Sequence, residues 1–399
     1  MTGFAVGFAG SRDNYEVALA LAEIGRLDAL VTDLYLKSGR LAGALAPWIA
    51  GDCPRHHPAL PNRRVRTVAR AFAAQKLASR RWARTLFGAD AQASVAHAFA
   101  AHAVRRPVGL FPYAGYGLAA FRAHPDRRRI LFQYHPQRAF ERAELERHLG
   151  PRGAFDPAPF AADPDDAPNI EEIHLADTVV CASSFTRRSV LHVAPGKRVV
   201  LAPYGASLAI DEAAALAQKA DPSRPTFLFV GSGIPRKGIG LLLDAFAHTA
   251  PPGAALRLVV RNADPATARR LAAIDDDRIT VRSNLGRADL LAEFRRAHVF
   301  VLPAISEGFA HVVPEALASG CHVIASDATC LADLDPPPEA GEVIPAGDAE
   351  TLAAAIASAA AGVSSGAIDG RAALALARRF SWSRFRRTIQ ALATEGDAP

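Results

Sequence analysis

The chain has 399 residues, enough for two ordinary domains, and with half of them apolar and 22% charged it reads as a folded globular protein, not a disordered or fibrous one. Its four cysteines, Cys53, Cys181, Cys321 and Cys330, form neither a C-x-x-C pair nor a disulfide framework, which excludes a disulfide-stapled secreted fold. The net charge of +6 is unevenly spread, 27 basic against 18 acidic residues up to position 200 and 19 against 22 beyond it. An anionic partner other than a ligand of the second half is therefore expected to meet the first half.

The opening, Met1 to Gly10, lacks the basic leader and long apolar run of a signal peptide, and no stretch approaches the roughly 18 apolar residues of a membrane span. A cytoplasmic location is expected. Phe4 to Ala9 reads as a short strand, Gly10 to Asp13 as a turn, Tyr15 to Ile24 as a helix and Leu27 to Leu34 as the next strand. That is a βαβ opening, so a parallel sheet starts at once. Gly10 ends the first strand, where a backbone without a side chain lets a ligand approach, although no G-x-G-x-x-G fingerprint is present. Cys53 with His56 and His57 lacks a fourth ligand nearby and reads as a polar loop.

From Arg63 to Arg84 there are eight cations and no acid. Residues 63–88 read as a basic amphipathic helix suited to an anionic membrane surface, which would place the chain at the inner membrane face; the rival reading is a solvated charged face. No nucleic-acid motif accompanies the cations, so nucleic acid is not expected as a partner. Val108 to Phe111 and Arg129 to His135 read as further strands. His135 falls at the end of the second, before Pro136, where strand ends face the crevice of a parallel sheet. Residues 150–168, rich in Pro, Asp, Gly and Ala, read as a long loop.

Asp221-Pro-Ser-Arg-Pro225 reads as a linker, after which a second strand–helix series starts with Thr226 to Val230. Gly231-Ser232-Gly233-Ile-Pro-Arg236-Lys237-Gly238 reads as a glycine-rich turn whose two cations could clamp a diphosphate. A helix from Leu241, strands at Leu256–Val260, Ile279–Val281 and Val299–Leu302, and helices at Pro265–Ala273 and Ala288–Ala297 complete the alternation. After the last strand comes Pro303-Ala-Ile-Ser-Glu307-Gly-Phe309-Ala-His-Val312-Val-Pro-Glu315-Ala-Leu-Ala-Ser-Gly320. Pro314 suits the first position of a short helix and Gly320 the residue just past its end. Backbone amides here favour an anion, while Glu307 and Glu315 are suited to accept hydrogen bonds from sugar hydroxyls. Val323 to Asp327 reads as one more strand and Thr351 to Ala361 as a helix.

Ser-Glu-Gly-Phe-x-x-Val-x-x-Glu-Ala-x-Ala-x-Gly, with Glu307 and Glu315 in place, resembles the nucleotide-sugar signature of retaining glycosyltransferases, family 4 in particular (glycosyl transferases group 1). Glu171 to Arg188 resembles the last helix, strand and turn of that family's first domain, Val199 to Gly205 its crossover, and Phe380 to Arg387 its closing helix. The resemblance implies an α/β chain of GT-B fold: two facing Rossmann-like domains, 1–203 for the acceptor and 204–379 for the donor, with residues 380–399 crossing back. It implies transfer of a hexosyl group from a nucleoside diphosphate sugar to a hydroxyl acceptor (a glycan, glycolipid or small molecule) in polysaccharide, glycolipid or glycoconjugate biosynthesis. Catalytic roles fall to His135, Lys237 and Glu307. Donor contacts fall to Gly10, Ser232, Gly233, Arg236, Lys237, Phe309, Ala310, His311, Val312 and Glu315, the last on the ribose. The family commonly has an Arg where this chain has Ser232, and Arg236 stands by to replace it. No Asp-x-Asp motif stands in the donor segment, so no metal and no cofactor beyond the donor are expected. Rivals are a sugar-nucleotide-binding subunit with weak turnover, and an epimerase or phosphorylase on the same fold. A dinucleotide oxidoreductase is disfavoured by the missing fingerprint.

Overall fold

The computed structural model describes residues 3–36, 55–68, 72, 91–150, 166–206 and 210–395. Labels below number the described elements. The first half runs β1 (Phe4–Gly7), α1 (Glu16–Glu23), β2 (Leu27–Thr32), β3 (Val65–Thr67), α2 (Ala91–Arg105), β4 (Gly109–Pro112), α3 (Leu118–Ala123), β5 (Ile130–Gln133), α4 (Arg138–Leu149), α5 (Ala167–Leu175), β6 (Thr178–Cys181), α6 (Ser184–Val193) and β7 (Val199–Leu201). These strands form a sheet of order β3-β2-β1-β4 and another of order β5-β6-β7, every pairing parallel. Isolated parallel bridges, Leu110 to Arg129 and Tyr113 to Phe132, join the two.

The second half runs α7 (Glu212–Ala217), β8 (Thr226–Gly233), α8 (Ile239–Thr249), β9 (Ala255–Ala263), α9 (Pro265–Ala272), β10 (Ile279–Ser283), α10 (Arg287–Arg296), β11 (Val299–Leu302), α11 (Val312–Ala318), β12 (His322–Ser326), β13 (Gly341–Ile344), α12 (Ala349–Ser365), α13 (Arg371–Ala377) and α14 (Trp382–Thr394). Its sheet has the order β10-β9-β8-β11-β12-β13, again all parallel. Phe227 to Phe229 and Val299 to Leu302 are buried throughout, as strands covered on both faces must be. The chain order reverses between β8 and β11, and crevices of parallel sheets open at such a reversal.

α14 buries Phe385, Ile389, Leu392 and Ala393 and lies against α1. Arg386 Nη1 donates to Glu16 Oε2 at 2.6 Å and its Nε sits 3.0 Å from Glu23. The carbonyls at the end of α14 would be orphans. Arg128 donates to those of Leu392, Ala393 and Glu395, and Arg26 to that of Ala393.

Three local expectations are corrected. Residues 62–64 form a 3-10 turn and Val65–Thr67 an edge strand paired with β2, so Arg63, Arg64 and Arg66 do not lie on an amphipathic helix. Val65 is buried, while Arg66 and Thr67 are exposed. Arg70, Lys76, Arg80, Arg81 and Arg84 fall outside the described residues, as do Cys53 and residues 151–165 of the long loop. Gly231-Ser232-Gly233 is not part of a turn but the end of β8, with an irregularity before Gly233. A Cβ on Gly233 would stand 2.9 Å from both Val260 and Ala263, so the glycine serves close strand packing. α11 starts at Val312, which makes Pro314 its third residue. The missing N–H still falls within the first turn, where no helical partner exists.

Candidate functional site

The site is assembled first by backbone. After β8, Pro235–Lys237 make one 3-10 turn, closed by Lys237 N to Ile234 O at 3.0 Å and Gly238 N to Pro235 O at 2.9 Å. Gly238 has φ +70°, and a Cβ there would lie 1.9 Å from the Pro303 carbonyl oxygen. No other residue fits. Ile305 N donates to Arg236 O at 2.8 Å. The turn after β8 and the loop after β11 are thus stitched together at the point where the strand order reverses.

Charges converge on this frame. Lys237 Nζ donates to Glu307 Oε1. Arg236 Nη1 stands 3.7 Å from the same carboxylate and donates to the Ser306 carbonyl. On its other side Arg236 Nε is 3.7 Å from Glu141 Oε1, and Glu141 also accepts from Ser306 Oγ at 3.1 Å. Ser306 and Glu307 are buried. Burial, with the Arg236 charge beside it, pushes the Lys237 ammonium down to about 7. The Glu141 carboxylate works in the opposite direction. A cation in so dry a place interacts strongly with an incoming anion.

Glu141 belongs to α4 in the first half, and that half also grips the loop directly. The Gly308 carbonyl accepts from Ser183 Oγ at 2.6 Å and Thr186 Oγ1 at 3.0 Å. Ser183 is held in place as the N-cap of α6, accepting from Thr186 N. A Cβ on Gly308 would lie 2.5 Å from the Tyr134 carbonyl and 3.1 Å from His135 Nδ1, so the halves touch backbone to backbone. His135 therefore stands against the Glu307–Gly308 loop. Its own carbonyl accepts from Gln133 Nε2 at 2.9 Å, and Gln133 and Asn169 exchange a reciprocal pair of amide bonds in the interior. Between the halves lies a cavity of about 680 Å³ whose lining includes His135, Arg138, Glu141, Arg236 and Asn262.

The remaining candidate residues are placed as follows. Gly10 ends the turn after β1, its N–H on Asp33 Oδ1 at 2.9 Å, and Asp33 is itself held by Arg55. Ser232 and Gly233 lie on β8. Phe309 packs on Tyr204 and Phe380, with centroids 5.2 and 5.8 Å away, and His311 stacks on Tyr204 at 5.0 Å. Ala310 takes φ +68° to make the bend between them, and Val312 opens α11. Glu315 is in the first turn of α11, bound to Arg287 Nη1 at 2.7 Å, and does not border the cavity. The structure thus joins His135, Arg236, Lys237 and Glu307, of which His135 and Arg236 line the cavity and Lys237 and Glu307 lie behind Arg236, and leaves Glu315 and Gly10 to its flanks.

Sequence reasoning passed over Glu141, Ser183 and Thr186. Ser183 and Thr186 carry a legible signal, the spacing of an N-cap to the third residue of its helix. Glu141 carries none, being one acid on a helix with several. It also passed over Asp13, which accepts from Tyr113 Oη while its Oδ1 is buried without a partner among the described residues. Burial raises that carboxyl to about 8, so it stays neutral at pH 7. Asp13, Asn14 and Tyr15 all have positive φ, strain of a kind that collects at working sites. Among the described residues no group of three or more His, Cys, Asp and Glu could hold a metal ion, and no helix is long and apolar enough to cross a membrane.

Residues 224–361 match the family model described as glycosyl transferases group 1. The chain is 33% identical over 224 residues to the D-inositol 3-phosphate glycosyltransferase of Segniliparus rotundus, covering 52% of this chain and 49% of that protein, so it spans about half the length of that curated relative. Among solved structures it resembles sucrose-phosphate synthase of Thermosynechococcus elongatus, with TM-score 0.66, 20% identity and 99% of each chain covered. It also resembles Anabaena HepE, solved with UDP and glucose, with TM-score 0.58, 15% identity, and 99% of this chain and 100% of that one covered. These structural likenesses establish the GT-B fold. The likeness to glycosyl transferases group 1 lies in residues 224–361.

Proposed function

We propose that the protein moves a hexosyl group from a nucleoside diphosphate sugar to a hydroxyl acceptor with retention of the anomeric configuration. The observation that carries this reading is the convergence of Lys237, Arg236 and Glu307, with His135 opposite them, beside a cavity large enough for a sugar. Two adjacent cations offset the charge that develops on a departing diphosphate. Glu307 binds hydroxyls of the transferred sugar once the donor has taken over Lys237. His135 orients that sugar from the other side, and Glu315 turns from Arg287 to the ribose. Backbone groups from Phe309 to Val312, together with Ser232 and Gly233, are assigned to the diphosphate path, and Gly10 to its first-half flank. In the reaction the bond from the anomeric carbon to the diphosphate oxygen breaks. A bond to the acceptor oxygen forms on the same face, and the acceptor proton passes to the leaving phosphate. Lys237 and Arg236 do the work of a divalent ion, so the step runs without metal or cofactor.

Residues 1–203 then serve the acceptor, 204–379 the donor, and 380–399 strap the two. The acceptor belongs to polysaccharide, glycolipid or glycoconjugate synthesis in the cytoplasm. The name of the Segniliparus relative supports an inositol phosphate, and the Anabaena HepE structure supports UDP, as first compounds to try. Calorimetric titration with UDP, GDP, ADP and dTDP should find one that binds, and Lys237→Ala should lower kcat/KM with the matching sugar nucleotide by ~100-fold or more. Turnover within threefold of the parent in that variant would remove the clamp.

A further inference from the structure

Glu141 is the acid that the proposed mechanism leaves without a task. It sits 3.7 Å from Arg236 and accepts from Ser306 Oγ, yet it comes from the opposite half of the molecule, 165 residues away in sequence. Its side chain is 18% exposed, and both it and Arg236 line the cavity. Lys237, Glu307, Arg236 and Glu141 form a run of alternating charge, two cations against two acids. Such a run offers an arriving diphosphate little net attraction. Glu307 has a second employment on sugar hydroxyls. Glu141 faces the guanidinium edge that a phosphate needs.

We propose that Glu141 is a counter-ion latch for the donor: it holds Arg236 toward the first half and gives it up when a diphosphate binds. This rests on the donor reading above. Donor capture and the ion pair across the halves then compete for one guanidinium. Only a ligand that brings more charge to Arg236 than one carboxylate does can displace Glu141, which favours diphosphates over monophosphates. Glu141 acts through Arg236 and is a positioning residue, not a catalytic one.

The test is calorimetry on the full chain with the nucleoside diphosphate that the parent protein binds among UDP, GDP, ADP and dTDP, and with its monophosphate. Glu141→Gln keeps an oxygen for Ser306 and removes only the charge. Its diphosphate Kd should fall roughly tenfold, the scale of one partly screened unit charge, and its monophosphate Kd by at least as much. The gain should vanish when Arg236→Gln is added. A merely structural role cannot tighten binding, so a Kd that stays the same or rises in a folded Glu141→Gln protein overturns the latch. So does a gain that survives Arg236→Gln. If Lys237→Ala weakens nucleotide binding while Glu141→Gln does not strengthen it, the latch fails and the site reading stands. If the parent binds none of the four diphosphates, both fail together.

Discussion

The two halves of the molecule contribute to one site in unequal ways. The second half supplies reactive charge on a frame of its own. Arg236, Lys237 and Glu307 hang from turns laced by backbone bonds, with Gly238 pressed on Pro303 and Ile305 tied to Arg236. At the cavity itself each half brings one arginine, Arg138 from the first and Arg236 from the second. The first half supplies constraint: two hydroxyls on the Gly308 carbonyl, the Tyr134–His135 backbone beneath it, and Glu141 against Arg236. Its sheet differs too, being two pieces joined by isolated bridges where the other is a continuous run of six strands. A frame that is complete in itself can keep a recognisable sequence, whereas a surface that only has to press in the right place can vary. The family match, confined to residues 224–361, follows that division.

The comparison can be broken most forcefully at Gly308. If the halves must meet backbone to backbone, Gly308→Ala inserts a methyl 2.5 Å from the Tyr134 carbonyl and must push them apart. Overpacking of this kind costs about 1–3 kcal/mol, and turnover should fall about 100-fold as His135 leaves its place. Steady-state kinetics and a melting curve measure both, and an active, undisturbed Gly308→Ala protein would show that the first half does not shape the loop. A milder probe is pH, which addresses Lys237 of the second half. Lys237 is a cation below its shifted value and neutral above it. The kcat/KM should therefore be level on the acid side and fall up to tenfold per unit as pH rises from about 7 toward the ordinary lysine range. Lys237→Arg, charged throughout, should flatten the profile; a parent profile already flat from about pH 6 to 9 counts against a cationic lysine in the step. The smallest effect is expected at Ser183→Ala, which takes one of two donors from a buried carbonyl. A loss of about 1 kcal/mol in denaturant unfolding, with donor affinity lowered in step, is the expected result. Unchanged donor affinity would make Ser183 a helix cap and nothing more.

Much of the second half was legible from sequence because its strands are continuous apolar runs with both faces covered. Val299 to Leu302 is bounded to the residue. The acid-bearing loop after it and the contact of Lys237 with Glu307 were also within reach, since they occupy adjoining strand ends. The end of β8 was misread because glycines signal turns more often than the close packing of a bulged strand, and Gly233 serves the second. Arg63 to Arg66 were misread because a dense run of cations hides a three-residue edge strand that shows one buried residue, Val65. Glu141 was beyond reach for a different reason. Its partners lie across the fold, and nothing in the spacing of a polar helix marks which of its acids faces inward.

The grip on Gly308 carries a consequence for how the protein comes into being. Glu307 takes its bearing from a peptide whose oxygen is fastened by Ser183 and Thr186, far earlier in the chain. A polypeptide emerging in order finishes its anchoring hydroxyls long before the segment they anchor. Were the later segment expressed by itself, it could fold its six strands and still present a slack, misaimed carboxylate. Assembly of the whole and tuning of the reactive loop are, for this molecule, a single event.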